Sequence, residues 1–294
     1  MAKSHRHRRI QGHHGRCQIS LNRLELGATP TPVKRPIGVF DSGVGGLSIL
    51  KALRAELPHE DFVYVADNGH APYGERDDAH VISRSRAITE HLRAKHNITA
   101  LVVACNTATA AAIHLLRHEH PDLPIIGVEP ALKPAVAQSK TRHIGVMATR
   151  GTLSSAKFGA LLTSQADQAD FKCQPCDGLA DAIEREDTQK IITLCTDFTK
   201  AMGLFGLKSG AIDTLVLGCT HYPFATEHLR KLLGAEVRLI DNGEPVARQT
   251  RRMLTTHAPL DALGRCLLFS TGNGACLQNT AQHWLGLDEP VVLL

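Results

Sequence analysis

From Pro36 onward the chain alternates short apolar runs with longer segments whose apolar positions recur at helical spacing. The runs 37–40, 61–65, 99–104, 125–128, 143–147, 170–173, 213–218, 237–240 and 266–269 are punctuated by Gly, Pro, Asp and Asn and read as strands. Segments 78–96, 107–119 and 224–234 read as amphipathic helices between them. A parallel strand is reached only by a crossover that lies over the sheet. The alternation therefore predicts an α/β fold, doubly wound, with mainly parallel sheets covered by helices on both faces.

The pattern also repeats. IGVF (37–40) matches IGVM (144–147), and Asp61-Phe62 matches Asp170-Phe171. ITALVVACNT (98–107) matches IDTLVLGCTH (212–221), which puts Cys105 on Cys219. The matches keep their order along the chain. They predict two similar domains related by pseudo-twofold symmetry, with a cleft between them. The expected division is 36–129 with 242–294 as the first domain and 130–241 as the second.

Charge changes one part of this picture. The net charge of +4 comes from the first 35 residues, where Lys3, Arg6, Arg8, Arg9, Arg16, Arg23, Lys34 and Arg35 face a single acid, Glu25. The remainder is slightly acidic, which argues against a folded nucleic-acid-binding face. HRHRRIQGHHGR (5–16) has no apolar periodicity, so residues 1–35 are expected to be a basic, disordered extension. No run is long and apolar enough to span a membrane, and the basic start lacks the apolar stretch of a secretory signal. The expected location is cytoplasmic, with reduced cysteines. Cys173 and Cys176 form a lone CxxC without a second ligand pair, so no metal is expected.

GVFDSGVGG (38–46) looks at first like a phosphate loop. A dinucleotide fingerprint would need glycine at Ser48, and a Walker loop would need a following Lys-Ser/Thr. The glycines instead suit a tight turn and close backbone approach to a small ligand. Cys105 and Cys219 each follow an apolar strand at the end where open α/β sheets bind ligands. Each precedes residues that can start a helix, an environment that favours thiolate. Two thiols facing one cleft can remove a proton from one face of a carbon and deliver one to the other. His221 could shuttle the Cys219 proton, and Asp41 could reach Cys105 within the same half. Ser42, Asn106, Thr107 and Thr220 could hold a substrate carboxylate, or cap helices.

Together DSGVGG (41–46), APYG (71–74), VVACNTAT (102–109) and LGCTHYP (217–223) resemble the glutamate racemases, within the cofactor-independent aspartate/glutamate racemase family. The resemblance runs from about Pro36 to about Glu244. It implies an active site between two α/β domains, no cofactor, and interconversion of L- and D-glutamate for peptidoglycan synthesis. It also implies that Cys105 and Cys219 are the two acid/base residues, Cys105 serving D-glutamate, with Asp41 assisting Cys105 and His221 assisting Cys219. Asp41, Ser42, Tyr73, Gly74, Asn106, Thr107, Thr220 and His221 would contact substrate, and Glu184 would lie near the site. A homodimer and activation by a peptidoglycan precursor stay open. So do a racemase of another acidic amino acid such as aspartate, a cysteine-dependent amidohydrolase and a non-catalytic amino-acid-binding protein. A pyridoxal-phosphate racemase is disfavoured, because the strand-end motifs contain no lysine for a Schiff base.

Overall fold

The computed structural model describes residues 1–2, 34–254 and 262–294; most of the expected N-terminal extension lies outside the described residues. Within the compact unit Lys34–Leu294 the strands are β1 (Ile37–Asp41), β2 (Phe62–Ala66), β3 (Ala100–Val103), β4 (Ile125–Gly127) and β5 (His143–Ala148). They continue with β6 (Asp170–Pro175), β7 (Thr214–Leu217), β8 (Arg238–Ile240), β9 (Cys266–Ser270) and β10 (Val291–Leu293). One sheet has the order β10-β9-β2-β1-β3-β4 and the other β6-β5-β7-β8. Every pairing between named strands is parallel.

The repeat holds at the level of register. Ile37 pairs with Phe62 and Ala100, while Ile144 pairs with Phe171 and Thr214. Leu101 opposes Ile125 as Leu215 opposes Leu239. The matched sequence segments therefore occupy the same positions in β2-β1-β3-β4 and in β6-β5-β7-β8. That coincidence of order and register is more than a shared strand composition would produce.

Both faces of each sheet are apolar and covered, as crossovers require. Along β3, Ala100 and Val102 pack into one core with helices Leu47–Glu56 and Gly243–Met253. Leu101 and Val103 pack into another with helices Asp78–His96 and Asn106–Glu119. In the second sheet Leu215 and Leu217 face helices Leu179–Glu184 and Thr188–Met202, while Val216 faces the opposite core. None of the described helices is long and apolar enough to cross a membrane.

Two elements differ from expectation. β10 was not anticipated: three residues after Pro290 are too few to show alternation, and the strand forms by parallel pairing on β9. The segment 224–234 is a 3-10 turn, Tyr222–Ala225, followed by helix Thr226–Leu233. Pro223 in that turn lacks an N–H, so the regular helix starts later. Consequently Cys219 does not sit at an α-helix start, whereas Cys105 is the N-cap of helix Asn106–Glu119.

The second sheet rests on a buried carboxylate just before β7. Asp213 accepts bonds from Ser139 Oγ (2.6 Å), Lys140 N (2.6 Å), Thr141 N (3.0 Å) and Thr214 Oγ1 (2.9 Å). Burial works to raise its pKa, but these bonds outweigh it and hold the carboxyl below its ordinary 3.8. Asp213→Ala strands these donors and is expected to cost about 2–4 kcal/mol, read as a lower urea midpoint. A lowered pKa means stabilisation that is complete above the ordinary value and lost as pH falls through the folded value. The advantage of wild type over Asp213→Ala should therefore shrink below about pH 4.

Candidate active site

In each sheet the first strand is flanked by the second on one side and the third on the other, so the strand order switches sides at β1 and at β5. Such a switch point opens a crevice at the carboxyl ends of the strands. Asp41 ends β1, and Cys105 follows β3 by two residues. Thr149 follows β5 directly, and Cys219 follows β7 by two residues. A cleft of about 200 Å³ lies where the two crevices meet, walled by Ser42, Tyr73, Gly74, Cys105, Asn106, Thr107, Thr149, Glu184, Cys219, Thr220 and His221, among others. That volume is below the roughly 300–1,000 Å³ of pockets for drug-sized ligands and suits a molecule the size of an amino acid. Among the described residues, no group of three or more His, Cys, Asp or Glu is arranged to hold a metal ion.

Asp41 lies behind this wall rather than in it. It is fully buried and has no bond to Cys105; Ser42 stands between them. Cys105 Sγ is 3.9 Å from Ser42 Oγ, which donates to Asp41 Oδ1 at 3.1 Å. The other carboxylate oxygen, Oδ2, accepts from Thr220 Oγ1 of the opposite half at 2.8 Å. Burial raises the Asp41 pKa above its ordinary 3.8, against the charge of His221 and the bonds from Thr220 and Ser42. Burial, and then the Asp41 charge, push the Cys105 thiol well above its ordinary 9.0. Sγ also accepts from Ala108 N at 3.5 Å, which works the other way without prevailing. Cys105 therefore rests as a protonated thiol.

Cys219 has a different arrangement. Its Sγ is 3.8 Å from His221 Nδ1, and His221 Nε2 is 2.9 Å from Glu184 Oε2. Burial alone would strip the imidazole of its proton, but Cys219 and Glu184 on its two sides hold the pKa well above the ordinary 6.5. Glu184 is thus a member of the site and not an exposed helix acid. Its Oε2 also accepts from Val44 N of the first half at 3.0 Å, and its Oε1 is buried without a hydrogen-bond partner.

The glycines of DSGVGG follow from these contacts. A Cβ at Gly43 would overlap the Glu184 carboxylate, and one at Gly45 would overlap the His221 ring and Thr220 Oγ1. A Cβ at Gly46 would lie 2.7 Å from both Asp41 Cβ and Tyr64 Oη. The close approach is therefore to side chains, three of them from the opposite half, and none of these glycines lines the cleft.

The other expected residues fall into place around the thiols. Asn106, Thr107 and Thr220 are buried in the cleft wall. Tyr73 lines the cleft, but its hydroxyl donates to Asp67 Oδ2 at 2.5 Å. Arg84 holds the same carboxylate with two bonds of 2.9 Å, and Thr271 Oγ1 adds one of 2.7 Å. The Asp67 cluster fixes the loop that carries Tyr73 and Gly74. Thr149, which sequence reading missed, shares a hydrogen bond of 3.1 Å with Thr107 across the cleft. Its signal was present: the offset that pairs IGVF with IGVM also pairs Ser42 with Thr149.

Comparison with known proteins agrees with the geometry. The family described as Asp/Glu/Hydantoin racemase matches residues 47–250. A glutamate racemase of Ectopseudomonas mendocina is 50% identical over 224 residues, covering 76% of this chain and 83% of the relative. A solved glutamate racemase isoform from Bacillus anthracis superposes with a TM-score of 0.75 at 32% identity, over 88% of this chain and 97% of that one. The Escherichia coli glutamate racemase, solved with L-glutamate and the activator UDP-MurNAc-Ala, also gives 0.75, at 30% identity over 88% and 98%.

The electrostatics of the Cys219 side can be tested directly. Glu184→Gln removes the anion that favours the imidazolium. His221 is then expected to lose its proton at lower pH than in wild type, followed by the ring Cε1–H chemical shift. An unchanged midpoint would show that Glu184 does not hold the His221 proton.

Proposed function

Because the chain belongs to the Asp/Glu/Hydantoin racemase family, we propose that it interconverts L- and D-glutamate by a two-thiol mechanism without a cofactor, supplying D-glutamate for peptidoglycan. One observation carries the reading: Cys105 and Cys219 occupy equivalent strand ends in the two halves and line one cleft. One sulfur takes the Cα proton as thiolate, the electron pair is delocalised into the substrate carboxylate, and the other sulfur delivers its proton to the opposite face. Within the substrate only Cα–H is broken and re-formed, the S–H formed at one sulfur balances the S–H broken at the other, and no electrons leave the substrate.

The two thiols are backed differently. Cys105, a protonated thiol at rest, is suited to donate, with Ser42 and Asp41 behind it. Cys219 adjoins His221, which can accept a proton from Sγ or return one, steadied by Glu184. With Cys105 as the donor, the direction is from L-glutamate if Cys105 serves the D-enantiomer. Ser42, Asn106, Thr107, Thr149 and Thr220 offer polar groups for the carboxylates, and Tyr73 and Gly74 close one wall. In this proposal 36–129 with 242–294 is one domain and 130–241 the other, supported by the sheet membership of β4, β5, β8 and β9. Activation by a peptidoglycan precursor extends the proposal from the Escherichia coli relative, and a cytoplasmic site of action suits a supplier of that pathway.

The line Cys219–His221–Glu184 on its own would also suit a thiol nucleophile attacking an acyl group. That scheme leaves Cys105, with its own hydrogen-bonded support, without a task.

Incubation with either enantiomer in deuterated water is expected to give racemisation with solvent deuterium at Cα. Cys105→Ala and Cys219→Ala should each lower turnover by at least about 10²-fold, the low end for losing a positioned acid or base. Cys→Ser variants should slow exchange from the two enantiomers unequally. Full activity in both alanine variants would sink the two-thiol reading, and amide cleavage without α-exchange would favour the hydrolase.

A further inference from the structure

Helix Leu179–Glu184 supplies Ala180, Asp181 and Glu184 to the cleft wall, and its C-terminal cap, Arg185, adds to the rim. Arg185 is the only lysine or arginine among the described residues that line the cleft. Its Nε donates to Asp181 Oδ1 at 2.8 Å, one helical turn back. Asp181 Oδ2 lies 3.7 Å from Lys190 Nζ, so one carboxylate is shared between two cations and the trio is net positive. Glu186 and Asp187 follow in the chain but do not line the cleft, and the Asp187 side chain caps helix Thr188–Met202.

The interior holds two carboxylates, Glu184 in the wall and Asp41 behind it, against the one imidazole of His221, which Glu184 already engages at 2.9 Å. An amino acid with two carboxylates and one ammonium carries a net negative charge, and Arg185 is the wall's one guanidinium among the described residues. We propose that Arg185 is a specificity residue for the acidic substrate: its guanidinium, held at the rim by Asp181, draws in the side-chain carboxylate and favours glutamate over its neutral amide. The inference rests on the racemase reading above. Arg185 binds and orients, and takes no part in proton transfer.

Its side chain is 74% exposed, so the attraction acts through a water-like dielectric and is modest. A unit charge removed about 6 Å from a carboxylate then changes affinity about three-fold, and reversal about ten-fold. Salt screens such a contact, the Debye length being about 3 Å at 1 M ionic strength.

The test uses the full chain as wild type, Arg185→Gln, Arg185→Glu and Asp181→Asn, with racemisation followed by circular dichroism at low and high ionic strength. At low salt kcat/KM for glutamate should fall about three-fold in Arg185→Gln and about ten-fold in Arg185→Glu, through KM, with kcat held within about two-fold. Asp181→Asn should raise it, a gain that general loss of structure would not produce. High salt should bring the variants together, and glutamine binding should be indifferent to all three changes. Unchanged KM in Arg185→Glu at low salt, or losses that persist at high salt, would overturn the proposal. Titration calorimetry with glutamate separates it from the activity: a wild type that binds but does not racemise counts against the racemase reading, while Arg185→Glu must still weaken binding. A wild type that does neither overturns both.

Discussion

The site depends on a pair of crossed hydrogen bonds. Asp41 belongs to the first sheet, yet one of its oxygens is bonded by Thr220 of the second. Glu184 belongs with the second sheet's helices, yet its carboxylate is bonded by the backbone N–H of Val44 in the first. Each acid thus takes part of its hydrogen bonding from its own half and part from the other. Ser48 Oγ adds a third link, donating to the carbonyl of Thr220 at 2.9 Å. These links require the turn after β1 to pass close beneath Glu184 and His221, and glycine at 43 and 45 leaves room for it. Tyr64 pins the same turn by donating to Gly43 O at 2.6 Å.

A shared frame with unlike side chains accounts for the chemistry. The two halves match in strand order and register, which places Cys105 and Cys219 at equivalent points. Around them the match breaks: His221 stands where the first half has Thr107, and Asp41 where the second has Ala148. One thiol therefore has a hydroxyl and a carboxylate behind it, and the other has an imidazole and a carboxylate. In the proposed two-thiol reaction, proton removal and proton delivery need different states at the two sulfurs. A strictly symmetric pair would give them the same one.

Much of this was legible in the sequence because the interior strands are apolar on both faces and short, with helical segments of contrasting period between them. The repeated segments disclosed the thiols for the same reason: a strand end and its register are local properties. What could not be read was contact between distant segments. Glu184 ends a six-residue helix with no periodic signature; the family resemblance put it near the site, and only its bonds to Val44 and His221 show what it holds. Tyr73 was found through APYG, but nothing in that motif says that its hydroxyl turns to Asp67. Thr149 was within reach, one residue beyond a repeat already recognised, but its role depends on what faces it across the cleft.

Two buried ionisable groups of the site, Asp41 and His221, act on stability in opposite directions. A raised pKa on Asp41 means that the folded state disfavours the carboxylate, so its contribution becomes unfavourable as pH rises past the ordinary 3.8. His221 has the opposite balance: a raised pKa on a base stabilises the fold below about 6.5 and loses that contribution as pH rises through the folded value. Their charges favour one another, which ties the cost of one to the gain of the other over the same neutral range. Away from the thiols a buried carboxylate has the opposite sign to Asp41. Burial works to raise Asp67, but Arg84, Tyr73 and Thr271 outweigh it and hold the carboxyl below 3.8, so it stabilises the fold throughout neutral pH. The structure thus keeps fully bonded carboxylates beneath the loop and sheet that carry the site, while beside His221 one oxygen of Glu184 is buried without a hydrogen-bond partner.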